Sequence, residues 1–262
     1  MIPLNLPRRS NIQGFWKLNE LSGTRYDETV NKNNLTDNNT VLYAAGKIGN
    51  AADFELTTSE YLSATAVASA NLNFTSSNFS ASFWWKPESL AAGTQPAFLC
   101  RGIYNAEGWY VQFRVDVDYI QVMLNTAATN TSFYSNTGLI SAGTLYHIGI
   151  VRNGTTGYIY VNGIDRTSSS ATLVNPVTSS ESFYMGSYRS TTHYVDGLLD
   201  EVIIWNVALT AAEVLQVKNI NAYKYGGRFM PFFMSMREAY ERHDKLWTPK
   251  GLILPKDLGF QI

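Results

Sequence analysis

Hydrophobic and polar positions alternate with a period of two from residue 14 to residue 205. SASFWWK sets Ala81, Phe83 and Trp85 on one face, with Ser80, Ser82, Trp84 and Lys86 on the other. WYVQFRV opposes Trp109, Val111, Phe113 and Val115 to Tyr110, Gln112 and Arg114. DYIQVML repeats the pattern with Ile120, Val122 and Leu124, and LYHIGIVRN opposes Tyr146, Ile148 and Ile150 to His147, Gly149 and Val151. Successive side chains of a strand point to opposite faces, so these runs predict half-buried antiparallel strands. Asn153-Gly154 and Asn162-Gly163 supply turns between them, because both residues tolerate positive φ. Many short strands with polar turns and no intervening helix predict an all-β antiparallel sandwich.

GLLDEVIIWNVALTAAEV (197–214) ends this region. Strict alternation sets Leu199, Ile203 and Trp205 on one face, and Val202 and Ile204 on the other. A strand apolar on both faces must be covered on both sides. Thr210 and Glu213 form a capping-box pair that predicts a short helix from Ala211 to about Val217. After Asn219 the pattern changes. FMPFFMSMREAYERHDKLW predicts an amphipathic helix beginning near Pro231, followed by a Pro/Gly-punctuated extended arm; MIPLNLPRR predicts a shorter arm at the other end. The expected organisation is an arm at 1–13, a β-sandwich at 14–218, and a C-terminal helix and arm at 219–262.

Composition narrows the partners. Of 262 residues only 16% are charged, below the roughly 25% of an average domain, and 16 Tyr and 13 Phe accompany abundant Asn, Ser and Thr. The net charge of −1 and the lack of a basic stripe argue against nucleic acid. The single cysteine, Cys100, lies in the apolar run PAFLC and is expected as a buried hydrophobe. No window approaches a membrane span, and the N-terminus lacks the apolar core of a signal peptide, so a soluble chain not exported by the usual route is expected.

The carboxylates do not read as catalytic. Glycoside hydrolysis needs two of them across a sugar ring, about 5–5.5 Å apart for retention. Asp200 and Glu201 are adjacent and so are expected on opposite faces, and Asp116 and Asp118 fall where a hairpin turn is predicted. No Gly-x-Ser-x-Gly or His-Glu-x-x-His occurs. A non-enzyme is expected. Glycan stacking would use exposed rings: SYRSTTHY offers Tyr188, Arg189, His193 and Tyr194 in one loop, and Trp109 with Tyr110 is an alternative, although Trp109 falls on the core face.

Five blocks in order resemble the laminin-G-like (concanavalin A-like) jelly-roll superfamily: GFWKLNELSGTRYDETVNKNNLT, GKIGNAADFE, FSASFWWKP, LYHIGIVRNGTTGYIYVNG and GLLDEVIIWNVALTAAEV. The resemblance covers about residues 14–218 and implies a fold shared by lectins, adhesion modules, glycan hydrolases and virion components. It also implies a calcium ion on the convex face, with Asp200 as side-chain ligand, backbone oxygens around Gly14–Trp16 and Gly46–Asn50, and Asp53 as a second candidate. The alternative role for Asp200 is to accept backbone amides and pin the two chain ends together.

The apolar block Phe229, Met230, Phe232, Phe233, Met234 and Met236, with Tyr240 and Trp247 beyond it, either folds back on its own sandwich or docks on neighbouring subunits. Its Pro/Gly punctuation favours reaching outward. The function expected from the whole sequence is a non-catalytic structural or adhesive protein of a multi-subunit assembly. A phage-like virion component displaying a lectin-like jelly roll suits it best, binding other subunits or copies of itself, and host-surface glycans. The alternatives are an extracellular glycan-binding lectin module and, behind it, a glycan hydrolase.

Overall fold

The structure, a computed structural model, describes residues 2–91 and 94–225. The expected helix and arm beyond Tyr225, with Phe229, Phe232, Phe233, Met236, Tyr240 and Trp247, lie outside the described residues.

Sixteen strands follow in chain order. The first are β1 (Ile12–Trp16), β2 (Thr36–Asn38), β3 (Leu42–Ala45), β4 (Asn50–Phe54), β5 (Tyr61–Ala64) and β6 (Phe79–Pro87). Next come β7 (Ala97–Ile103), β8 (Glu107–Arg114), β9 (Tyr119–Asn125), β10 (Asn130–Ser135) and β11 (Tyr146–Asn153). The last are β12 (Thr156–Val161), β13 (Ile164–Asp165), β14 (Thr167–Ser170), β15 (Phe183–Met185) and β16 (Gly197–Trp205). One helix, α1 (Ala211–Lys218), follows, with the Thr210–Glu213 capping box formed.

The strands make two antiparallel sheets. The first runs β13-β12-β11-β6-β16-β4-β3, with β1 also paired to β16; the second runs β14-β10-β9-β8-β7-β15-β5-β2. Their facing sides enclose the main core, including Phe83, Trp85, Trp109, Val111, Phe113, Ile120, Val122, Ile148 and Ile150. These are the inward positions that alternation predicts. Asn162 and Gly163 both adopt positive φ in the β12–β13 turn, and Gly154 does so after β11. Cys100 is buried, and burial pushes its thiol up to about 12.

Three expectations need correction. First, Leu199 shares the main core with Val202 and Ile204, whereas Ile203 and Trp205 face outward into a second cluster. The cause is a β-bulge: pairing with β6 shifts register between Asp200 and Ile203, and Glu201 adopts a left-handed φ of 53°. The extra residue resets the alternation. Second, Asp200 and Glu201 therefore do not point to opposite faces. Both lie between inward-facing Leu199 and Val202 and project from the outer side of the first sheet, as their contacts below attest.

Third, residues 2–11 do not reach outward. Leu6 is buried beside Phe15, Trp205, Val214 and Val217. Leu4 N donates to Lys224 O at 2.5 Å, and Trp205 Nε1 donates to Pro7 O at 3.2 Å. The N-terminal segment, α1 and residues 220–225 thus cover the outer face of the first sheet. Burial of all nine positions of β16 follows, as its two-sided hydrophobicity demands.

Candidate functional site

Among the described residues, no such cover lies over the central strands on the outer face of the second sheet. Parity places Tyr110, Gln112 and Arg114 of β8 outward, beside Tyr119, Gln121 and Met123 of β9 and Asn130, Ser132 and Tyr134 of β10. The loop after β15 folds over this face, closed by a bridge between Tyr188 and Thr192. Between loop and strands lies a groove of about 440 Å³, lined by Tyr104, Tyr110, Gln112, Gln121, Tyr188 and His193 among others.

Three of its four rings form a contiguous aromatic side. Tyr188 meets Tyr110 edge-on at 5.1 Å between centroids, and His193 lies 5.6 Å from Tyr188. Tyr104 N donates to Tyr188 Oη at 2.8 Å, which fixes the phenol. The floor is amide: Gln112 Nε2 donates to Gln121 Oε1 at 2.9 Å, and Gln121 Nε2 to Ser132 Oγ at 3.4 Å. Met123 fills the gap beneath Tyr110 and Cys100.

The groove is electrically quiet. Burial raises both Tyr110 and Tyr188, with the nearby Tyr188 adding to the rise at Tyr110, so both remain phenols. Burial, and secondarily Arg114, lowers His193, which stays a neutral imidazole near neutral pH. Its Nδ1 is buried and has no hydrogen-bond partner among the described residues. Arg114 is forked onto Asp116, Nε to Oδ1 at 2.9 Å and Nη2 to Oδ2 at 2.6 Å.

The loop residues expected to act together divide. Tyr188 and His193 line the groove, but Arg189 and Tyr194 do not. Arg189 turns to Glu181 at 3.1 Å, and Tyr194 lies against Tyr61 and donates to Ser190 O. Arg189 and His193 both adopt left-handed backbone in this loop, and adjacent residues along it project in different directions. Tyr110, the alternative, joins Tyr188 in the same site, while Trp109 is fully buried in the core. Gln112, Gln121 and Met123 were visible only as the outward members of alternating strands. Nothing in their identity marked them until the loop closed over them.

The acidic positions are elsewhere. Asp200 Oδ2 accepts Lys47 N at 2.6 Å and Ile48 N at 3.2 Å, joining β16 to the turn before β4. Glu201 Oε2 is hydrogen-bonded to the Tyr223 hydroxyl, whose ring packs on Phe15. Asp200 is 1% and Glu201 4% exposed. Burial raises Asp200 to about 7, and burial with the Asp200 charge raises Glu201 to about 10. Asp200 Oδ1 and Glu201 Oε1 are buried without a partner among the described residues. As a test of fit for calcium, half of the Asp200 carboxylate is taken by amides, and the two orphaned oxygens are what remain for a cation. Asp53 lies apart, within 4.8 Å of Glu55 and Glu88 measured between carboxylate oxygens. Burial raises the Asp53 carboxyl.

A hydroxyl–imidazole pair also occurs on the first sheet: Ser82 Oγ and His147 Nε2 are 2.7 Å apart. Both are buried, His147 Nδ1 has no partner among the described residues, and burial lowers the imidazole to about 3. Without an orienting third group or access, this pair does not form a nucleophile.

A family model described as the concanavalin A-like lectin/glucanases superfamily matches residues 60–215. No curated protein matches the chain. Among solved structures, the binding domain of Paraclostridial Mosquitocidal Protein 1 is similar at TM-score 0.65 and 17% identity, over 80% of this chain and 52% of that one. This chain therefore spans about half the length of that domain. Domain 4 of AbnA, a GH43 extracellular arabinanase from Geobacillus stearothermophilus solved with arabinotriose, has TM-score 0.53 and 19% identity, over 80% and 98% of the two chains. Trypanosoma rangeli sialidase, solved with 2,3-difluorosialic acid, has TM-score 0.56 and 16% identity, over 80% of this chain and 33% of the enzyme. At these identities the likeness is one of fold.

Proposed function

The chain belongs to the concanavalin A-like lectin/glucanase superfamily, and from that premise we propose that it is a non-catalytic saccharide-binding module using the groove on its second sheet. The observation that carries this reading is the groove's chemistry. Four rings, Tyr104, Tyr110, Tyr188 and His193, stand with a floor of glutamine amides, with no carboxylate among the described lining residues. Sugars offer apolar C–H faces edged by hydroxyls; rings stack on the former, and amides and hydroxyls bond the latter. The structure of AbnA domain 4 with arabinotriose supports saccharide binding by this fold, and the mosquitocidal protein's fragment, described as a binding domain, supports a binding role. Hydrolysis would require two opposed carboxylates at the ligand, and the groove's lining provides neither.

We place such a module at an exposed surface, of a virion or outside a cell, where it would meet host glycans. Docking on other subunits of an assembly is the proposed role of residues beyond 225. The family's calcium is proposed at Asp200 Oδ1 and Glu201 Oε1, where its charge would stabilise two buried carboxylates.

The test of the groove is a glycan array followed by titration calorimetry of the full chain and Tyr188→Ala. Removing the central ring should weaken a positive glycan by about tenfold or more, equivalent to ~1.4 kcal/mol. Unchanged affinity in a folded Tyr188→Ala protein would move the site elsewhere.

A further inference from the structure

We propose that the ligand is a linear, uncharged saccharide chain held through internal units, and that Tyr119 and Tyr134 form a second subsite for it beyond the groove. This rests on the groove reading above and extends it. Tyr119 and Tyr134 stack at 4.9 Å between centroids with planes 25° apart, and both side chains remain partly exposed. They belong to the same outward set as the groove floor. Arg114 is the cross-strand partner of Tyr119, and Gln121 is the partner of both Gln112 and Tyr134. Moving from Tyr110 to Arg114 covers four residues of β8, or about 13 Å at ~3.3 Å per residue. The two ring sets therefore stand on one sheet face, too far apart for one sugar ring to touch both. The glutamine amides bridge the interval. A short ligand fills the groove alone, and a longer one crosses Gln112–Gln121 to reach the tyrosine pair.

The charge pattern selects the chemistry. Tyr110, Tyr188 and His193 face the ligand uncharged, and the one guanidinium in the lining, Arg114, is forked onto Asp116. An acidic sugar would find no free cation among these residues and would have to displace Asp116. A neutral chain needs only stacking and hydrogen bonds.

The full chain is titrated with neutral linear oligosaccharides from disaccharide to hexasaccharide, of the arabino-, xylo- and cello- series, and with oligogalacturonates of matching length. The unmodified protein should bind a neutral series more tightly as length grows. Tyr134→Ala should weaken the hexasaccharide several-fold to about tenfold while leaving the shortest bound oligomer unchanged, with Tyr134→Phe retaining affinity. Tyr188→Ala should weaken every length. Affinity independent of length, or a Tyr134→Ala effect equal at all lengths, overturns the second subsite and leaves the groove standing. Acidic oligomers binding as tightly as neutral ones overturn the uncharged ligand. Absence of binding to these series and to a broad glycan array overturns the groove reading itself, and this extension with it.

Discussion

Single polar residues hold the loops of this sandwich. The run DETVNKN becomes intelligible at Asp27, whose carboxylate receives the amides of Phe15, Thr29 and Asn33, the Thr29 hydroxyl and the Asn33 side-chain amide. Thr29 and Asn33 each donate twice and Phe15 once to this one buried carboxylate, which would otherwise carry a desolvation cost of at least about 1–3 kcal/mol. Arg152 acts in the opposite sense, donating to Thr75 O, Ser77 O and Asn175 Oδ1. The sequence displays the residues of both clamps without showing what they close. His147 carries a pH consequence of its own. It is fully buried, and its pKa falls from 6.5 to about 3, so the unfolded chain takes up a proton that the fold refuses. Its contribution is present above pH 6.5 and is lost as pH falls toward 3, at about 1.4 kcal/mol per pH unit. Asp200 acts oppositely over part of that range, so the comparison must be differential. In denaturant titrations across this window, the stability advantage of the unmodified protein over His147→Asn should shrink as pH falls. A pH-independent difference would place no titration at His147.

At the scale of elements, β16 is where alternation failed. Periodicity predicts the faces of β6, β8, β9 and β11, where β6 with β11 and β8 with β9 pair without a register shift. It cannot predict a bulge, whose extra residue is tolerated only because β6 on one side and the turn at Lys47–Ile48 on the other receive it. The bulge brings two acids to one buried face, and this makes the calcium proposal testable. Their raised pKa values mean stability is lost as pH rises, through about 7 for Asp200 and on toward about 10 for Glu201. A cation would reverse that loss. Calcium at a hundred times its dissociation constant should add about 2.7 kcal/mol, read as a rise in Tm that grows at mildly alkaline pH. Glu201→Gln should raise Tm at the same pH in the absence of calcium and diminish the calcium response. A calcium-insensitive Tm at alkaline pH would leave Asp200 with its amide-pinning role alone. The N-terminal segment teaches a related lesson: MIPLNLPRR has the look of an arm, but Leu6 is drawn down by Phe15, Trp205 and Val217, residues far away in sequence.

For the whole molecule, the first compact unit ends at Tyr225. A truncation after Asn219 would cut into the first unit, since Tyr223 packs on Phe15 and Lys224 pairs with Leu4. A truncation after Tyr225 preserves these contacts. If the assembly role proposed for the tail is right, the full chain should form oligomers in light scattering while the chain ending at Tyr225 stays monomeric with unchanged Tm. Two monomers of equal stability would remove assembly from the proposed function and leave the saccharide module by itself.

The sequence by itself determined the strands, the capped helix, most inward faces and the family, because each rests on local rules: side-chain parity, turn chemistry and capping at fixed spacing. The tertiary structure decided the rest. Which outward residues meet in a groove, which loop tyrosine reaches them, and that Asp200 and Glu201 share a face depend on contacts between residues far apart along the chain. Those contacts arise only when the sheets pair, a bulge absorbs the mismatch, and the N-terminal segment and α1 cover the first sheet.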